Sequence, residues 1–178
     1  MRAKARKTAM TKRARQYIGL LAAIASYYVI HEGAHFVYAL LTGTFKTVNF
    51  MGLGMQIDIH ADKMTETQLG LFCLVGSVAT ALFAYLLVFL AKKIASLDSK
   101  VFKACAYYVT LAVLIIDPLY LALLSPLFGG GDMNGIALIV PPIAAKSLYG
   151  ALLIINALVF MRVVLPTYKE GFKESENE

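Results

Sequence analysis

Tryptophan is absent from the 178 residues, cysteine occurs twice, and only 16% of the chain is charged. A soluble domain carries roughly 25% charged and about 45–50% apolar residues; here the apolar share is 59% and the mean hydropathy is +0.68. That scarcity of charge excludes a soluble domain and a disordered chain. Long apolar runs point instead to a bundle of membrane-spanning helices, and a chain of this size holds about four. Two lone cysteines, Cys73 and Cys105, offer no disulfide framework and read as small buried hydrophobes. There is no internal repeat, domain linker or low-complexity tract.

The charge that is present is unevenly spread. Seven of the 17 Lys and Arg lie in the first 15 residues, with no acid among them. Residues 1–16 therefore read as a basic juxtamembrane tail touching anionic headgroups. Nucleic-acid binding is not expected, because no aromatic platform or DNA-binding motif accompanies these charges. The following apolar stretch is too long for a signal peptide and lacks a clear small-residue cleavage site.

A single integral membrane domain is expected over 17–165, followed by a polar, frayed tail over 166–178. Its first span covers 17–41, which at about 1.5 Å per residue crosses a hydrocarbon core of about 30 Å. Within 42–68, Met55, Ile57 and Ile59 alternate with Gln56, Asp58 and His60, a period of two that predicts a strand. With 45–50 as its partner and Gly52 and Gly54 at the turn, a short β-hairpin is expected. A second span follows over 69–91 and a third over 101–124, the latter interrupted by Asp117-Pro118. Three glycines at 129–131 then break the helix, and Pro141-Pro142 divides the last apolar stretch. The expected result is a partly inserted piece and a spanning helix from Lys146 or Ser147. The fold class is thus an all-α membrane protein: about four transmembrane helices, a hairpin after the first, and a broken, re-entrant segment before the last. Four spans put 14 basic residues on the side of both termini and three on the other, so the termini are expected in the cytoplasm.

The chemistry is concentrated in His31-Glu32-Gly33-Ala34-His35, an H-E-x-x-H match in the first span. Histidines at i and i+4 share one helix face, so both imidazoles can reach one metal ion, and the intervening Glu is placed to act as general base. Chance alone gives such a match about two times in a thousand for this composition. Three polar groups within a span are also costly unless they have partners. The bland alternative is a pair of histidines that hydrogen-bond across helices and lock the bundle. A catalytic zinc site needs a third protein ligand. Asp132, in the Gly-rich break, and Asp117, in the third span, both qualify on residue type and placement; Asp132 could instead be a capping or turn residue, and Asp117 could instead bond freed helix backbone or a Tyr. His60 reads as a surface histidine. Gly33 and Ala34 are expected to keep the metal approachable.

These residues resemble the site-2-protease-type intramembrane zinc metalloproteases (peptidase family M50). His31-Glu32-Gly33-Ala34-His35 matches the family's HExxH, Gly76-Ser77-Val78-Ala79-Thr80 is a loose counterpart of its Gly-Pro-x-x-Asn-like motif, and Gly131-Asp132-Met133-Asn134-Gly135 of its Asp-Gly-like motif. The stretch 48–54 is similar to its glycine-containing strand region. The resemblance covers about residues 17–140. It implies a zinc endopeptidase acting on a membrane-embedded protein or peptide, with Zn2+ on His31, His35 and Asp132, Glu32 catalytic, and substrate contacts at Gly52, Gly54, Gly76 and Thr80. The hairpin edge would hold an unwound substrate by strand addition. The competing class is a metal-ion transporter, since intramembrane His and acid residues also mark ion pathways. HEGAH is similar to part of a ZIP-type transporter motif, but Ala34 and Phe36 replace that motif's Pro and Glu. A third reading is a non-proteolytic zinc-binding membrane protein.

Overall fold

The structure, a computed structural model, describes residues 10–51 and 54–174. Arg2, Lys4, Arg6 and Lys7 of the basic tail, Gly52 of the hairpin turn and the last four residues lie outside the described residues.

Helix α1 (Lys12–Leu41) begins five residues earlier than the apolar run, because Thr11 caps it by accepting from the Ala14 N–H. Its buried residues Gly19, Ala23, His31, His35 and Ala39 fall on one i+4 row, which winds slowly around the helix and suits a crossed packing against α3. At Gly19 a Cβ would stand 2.5 Å from the Tyr108 ring, so glycine sets how closely the two helices cross. Strands β1 (Phe45–Met51) and β2 (Gly54–Ile59) form the expected antiparallel hairpin, with Val48 opposite Ile57.

Helix α2 (Glu66–Ala95) opens with a reciprocal capping box between Thr65 and Gln68. Its buried positions 73, 77, 80, 84, 91 and 94 keep a spacing of three and four, as a supercoiled bundle helix requires. Helix α3 (Lys100–Leu119) continues through a π-helical turn and a 3₁₀ turn to Phe128. Asp117-Pro118 was expected to interrupt this span, yet the helix runs through it. Pro118 has no N–H to give the Leu114 carbonyl, and the Asn156 side-chain amide takes that carbonyl instead at 2.7 Å. Tyr85 in turn donates to Asn156 at 2.8 Å.

The chain then reverses through Gly129, Gly130 and Gly131, all at positive φ (77°, 89° and 46°), a run that side chains with a Cβ rarely tolerate. The reversal delivers the short helix α4 (Asp132–Ile136) into the bundle. Helix α5 (Pro142–Val159) starts at Pro142 rather than at Lys146 or Ser147, since proline is pre-organised for a first helical position. It continues through a π-helical turn into α6 (Leu165–Glu174). The expected frayed tail is therefore helical to Glu174, and it is anchored: Tyr168 and Gly171 are buried.

Three of these helices, Glu66–Ala95, Lys100–Phe128 and Pro142–Glu174, are long and apolar enough to cross a membrane. Helix α1 is equally long, but His31, Glu32 and His35 interrupt it and it falls short of that apolarity. Two apolar clusters share the bundle. One gathers Phe72, Leu121, Ile136 and Tyr149 with Ile57 of the hairpin; the other packs Ala84, Val113, Leu114, Val164 and Tyr168.

Candidate metal centre

His31 and His35 stand one turn apart on the buried row of α1 and point at the glycine break before α4. His31 Nε2 lies 3.1 Å from Asp132 Oδ2, His35 Nε2 lies 3.5 Å from the same oxygen, and the two Nε2 atoms are 3.2 Å apart. Three ligand atoms from helices distant in sequence thus form one small triangle. It is the only such group of three or more His, Cys, Asp or Glu among the described residues, and it could hold a metal ion.

Asp117 has a different position. Its carboxylate meets the other nitrogen of His31, Nδ1, at 3.2 Å, and it also accepts hydrogen bonds from the Tyr27 and Thr80 hydroxyls. An ionised carboxylate only accepts, so Nδ1 of His31 donates to Asp117, which leaves Nε2 as the nitrogen that can give a lone pair to a metal ion once it is free of a proton. This is the outer carboxylate–histidine arrangement that fixes the tautomer and orientation of a metal ligand. Of the two aspartates left open by residue type and placement, Asp132 joins the ligand triangle and Asp117 holds His31 from behind.

The residues present fit a metal ion on two grounds. Two imidazole nitrogens and a carboxylate oxygen, the donor types zinc takes, meet within 3.5 Å of one another, and a metal ion can take the place of a proton between His31 Nε2 and Asp132 Oδ2. Tetrahedral coordination at 2.0–2.1 Å gives ligand-to-ligand edges of about 3.3–3.4 Å, close to the 3.1, 3.2 and 3.5 Å seen here. The wall beside the triangle is Gly76 of α2, where a Cβ would meet His35 Nε2 at 2.5 Å and His31 Nε2 at 2.8 Å. Any other residue would fill the space the imidazoles share. Gly33, by contrast, faces open space, so its small size does not shape the centre. The histidines are also held by rings: Tyr27 stacks on His31 with centroids 5.3 Å apart, and Phe72 lies 4.7 Å from His35. His35 Nδ1 is buried with no hydrogen-bond partner among the described residues, so packing rather than an acceptor orients that ring.

Comparison of the chain with protein-family models, curated proteins and solved structures finds no match.

Glu32, half-buried, lies beside the triangle on a cavity of about 640 Å³ that also reaches His31, His35, Asp132 and residues 54–57 of β2. The Ile57 N–H of β2 donates to the Glu32 carboxylate at 3.2 Å. That N–H points away from β1, so the free edge of the hairpin faces the candidate base.

Of the positions that the resemblance links to substrate, Gly54 lines this cavity and Gly76 forms the wall described above. Thr80 is fully buried and directed at Asp117, away from the cavity. His60 is half-buried at the turn after β2 and joins no ligand group. A tyrosine is one of the partners the sequence suggests for Asp117, and Tyr27 fills that place; sequence reasoning missed Thr80 as a further partner and Asn156 as the partner of the Leu114 carbonyl. A signal existed for the last: a lone Asn in an apolar helix demands a partner, and a proline at 118 frees a carbonyl four residues earlier.

Proposed function

We propose that this chain is a zinc-dependent intramembrane endopeptidase. The observation that carries the reading is the convergence of His31 Nε2, His35 Nε2 and Asp132 Oδ2 on one point beside Glu32, at the floor of a cavity bordered by a strand edge. Two imidazoles and one carboxylate with tetrahedral spacing suit zinc. When bound there, zinc supplies Lewis-acid polarisation and lowers the pKa of water to about 7.

The chain's own residues account for the rest. Glu32 accepts a proton from the attacking water and returns it to the leaving amine. Asp117, held by Tyr27 and Thr80, keeps His31 in the tautomer that exposes Nε2. The free edge of β2 offers backbone groups to an extended peptide, which matters because a helical substrate hides its own peptide bonds until it unwinds. Helix α1 serves as a fourth span alongside the three apolar helices, its polar row turned inward where it is partnered. The distribution of Lys and Arg supports cytoplasmic termini.

The test is metal content and cleavage of a helical membrane reporter, measured together on detergent-purified wild type, Glu32→Gln and His35→Ala. One zinc per chain in wild type and Glu32→Gln, with cleavage in wild type alone, is the expected result. Zinc bound without cleavage of any reporter, together with His31-dependent metal flux in liposomes, would replace the peptidase by a transporter. No bound metal would return the histidines to a packing role.

A further inference from the structure

A second cavity, of about 610 Å³, lies at the opposite end of the bundle from the hairpin and has no part in the centre described above. Three elements meet there: the start of α1, the start of α3 and helix α6. Its charged lining residues are Lys12 and Arg15 of α1 and Lys169 and Lys173 of α6, and no acid among the described residues lines it. Its floor is aromatic, with Tyr107, Tyr108 and Phe172. Glu170 and Glu174 stand on the same helix but do not line the cavity.

Local electrostatics sharpen the imbalance. The first turns of α1 and α3 contain no acid, although each presents the positive end of its helix dipole at this end of the bundle. Lys12 and Arg13 open α1, and Lys100 and Lys103 open α3, so cations are stacked on positive helix ends. Lys103 is buried beneath the cavity, donating to the Gly171 carbonyl at 2.6 Å and lying 5.6 Å from the centroid of Phe172. Cations gathered around an aromatic floor, with no lining acid among the described residues, suit an anion with an apolar body. The same end of the bundle supplies apolar surface: Tyr17 and Leu20 near the start of α1 and Phe102 near the start of α3 are exposed, where acyl chains would run along the helices.

We propose that this cavity is a binding site for the phosphate group of an anionic phospholipid, clasped between the first and last helices. The site would tie α6 to α1 only when the lipid is present. It rests on the membrane reading of the helices, and not on the peptidase reading.

The experiment uses the full chain in nanodiscs of phosphatidylcholine with increasing phosphatidylglycerol, followed by gentle extraction and native mass spectrometry to count retained lipids. Wild type should retain about one phosphatidylglycerol per chain in a saturable manner, and no phosphatidylcholine. The variant Lys12→Gln/Arg15→Gln/Lys169→Gln/Lys173→Gln should weaken that retention at least tenfold. A charge-matched variant away from the cavity, Lys63→Gln/Lys92→Gln/Lys93→Gln/Lys146→Gln, should stay within twofold of wild type, and far-ultraviolet circular dichroism should show all three folded. Equal loss in both variants would overturn the site in favour of diffuse charge attraction. Displacement of the lipid by millimolar inorganic phosphate would overturn the lipid in favour of a free-phosphate site. A chain that stays soluble without detergent would overturn the membrane reading and the site with it, whereas incorporation without selective retention would overturn the site alone.

Discussion

Two regions of the bundle bury ionisable groups, and they do so in opposite ways. At the α3–α6 contact, Lys103 sends its ammonium into a backbone carbonyl and lies against an aromatic ring. That bond is structural in its consequence, since it ties α6 to α3. Beside α1, ring nitrogens of His31 and His35 and a carboxylate oxygen of Asp132 from α4 converge on one point. Such a convergence is answered by a shared proton or by a metal ion, either of which lies among the three atoms. The lesson is that burial of charge does not distinguish a site from a strut; the convergence of several ligand atoms on one point does. Asp117 shows the same within one cluster. Surrounded by His31, Tyr27 and Thr80, it is satisfied, while Asp132 a few ångströms away remains directed at the imidazoles.

This contrast can be broken by experiment. The largest effect is expected at the convergent group. Asp132→Asn should weaken metal binding by more than the roughly 10–100-fold that loss of an outer partner costs, and Lys103→Met should leave metal content unchanged; calorimetric titration with zinc checks both. Glu32→Gln separates binding from chemistry, with metal retained and reporter cleavage reduced by about 10²–10⁴-fold. Asp117→Asn should fall between these, lowering metal affinity by about 10–100-fold while the histidine ligands stay in place. Equal losses in Asp117→Asn and Asp132→Asn would erase the distinction between the two aspartates.

Smaller effects test the struts. Asn156→Leu leaves the Leu114 carbonyl without its partner and should destabilise the fold by about 1–3 kcal/mol, read as a lower Tm in detergent with metal content unchanged. The smallest effect belongs to the hairpin. Lys46 lies 2.9 Å from Asp58 and holds its carboxyl below the usual carboxylate range, with the Ile59 N–H contributing. A carboxyl depressed on folding stabilises above its unfolded value of about 3.9 and loses that contribution as pH falls through the folded value. The protection factors of the β2 amides, exchange rates corrected for intrinsic pH dependence, should therefore fall slightly below pH about 4, and Lys46→Met should lessen that dependence.

Several parts of this architecture were legible before any coordinates. The i,i+4 histidines, the alternation at 55–59 and the glycine triplet are local signals, and local geometry translates them directly into one helix face, one strand and one chain reversal. Proline ends no helix at these two places. Pro118 sits inside a continuous helix and Pro142 begins one, because the Asn156 side-chain amide, 42 residues from Leu114, donates to the freed carbonyl in the first case and a helix start needs no N–H in the second. The polar composition of the tail gave no hint of its anchoring, which depends on Tyr168 and Gly171 reaching neighbours on α2 and α3.

By itself, then, the sequence determined the greasy helical character, the hairpin and the identity of the two histidines and their glutamate, since each follows from spacing along a single segment. The tertiary structure decided which aspartate joins the histidines and which supports them. That choice depends on where the 129–131 reversal returns the chain and on which nitrogen of His31 each carboxylate meets. Neither is fixed by residue type, because two aspartates in apolar surroundings look alike until their partners from α1 and α2 are in place.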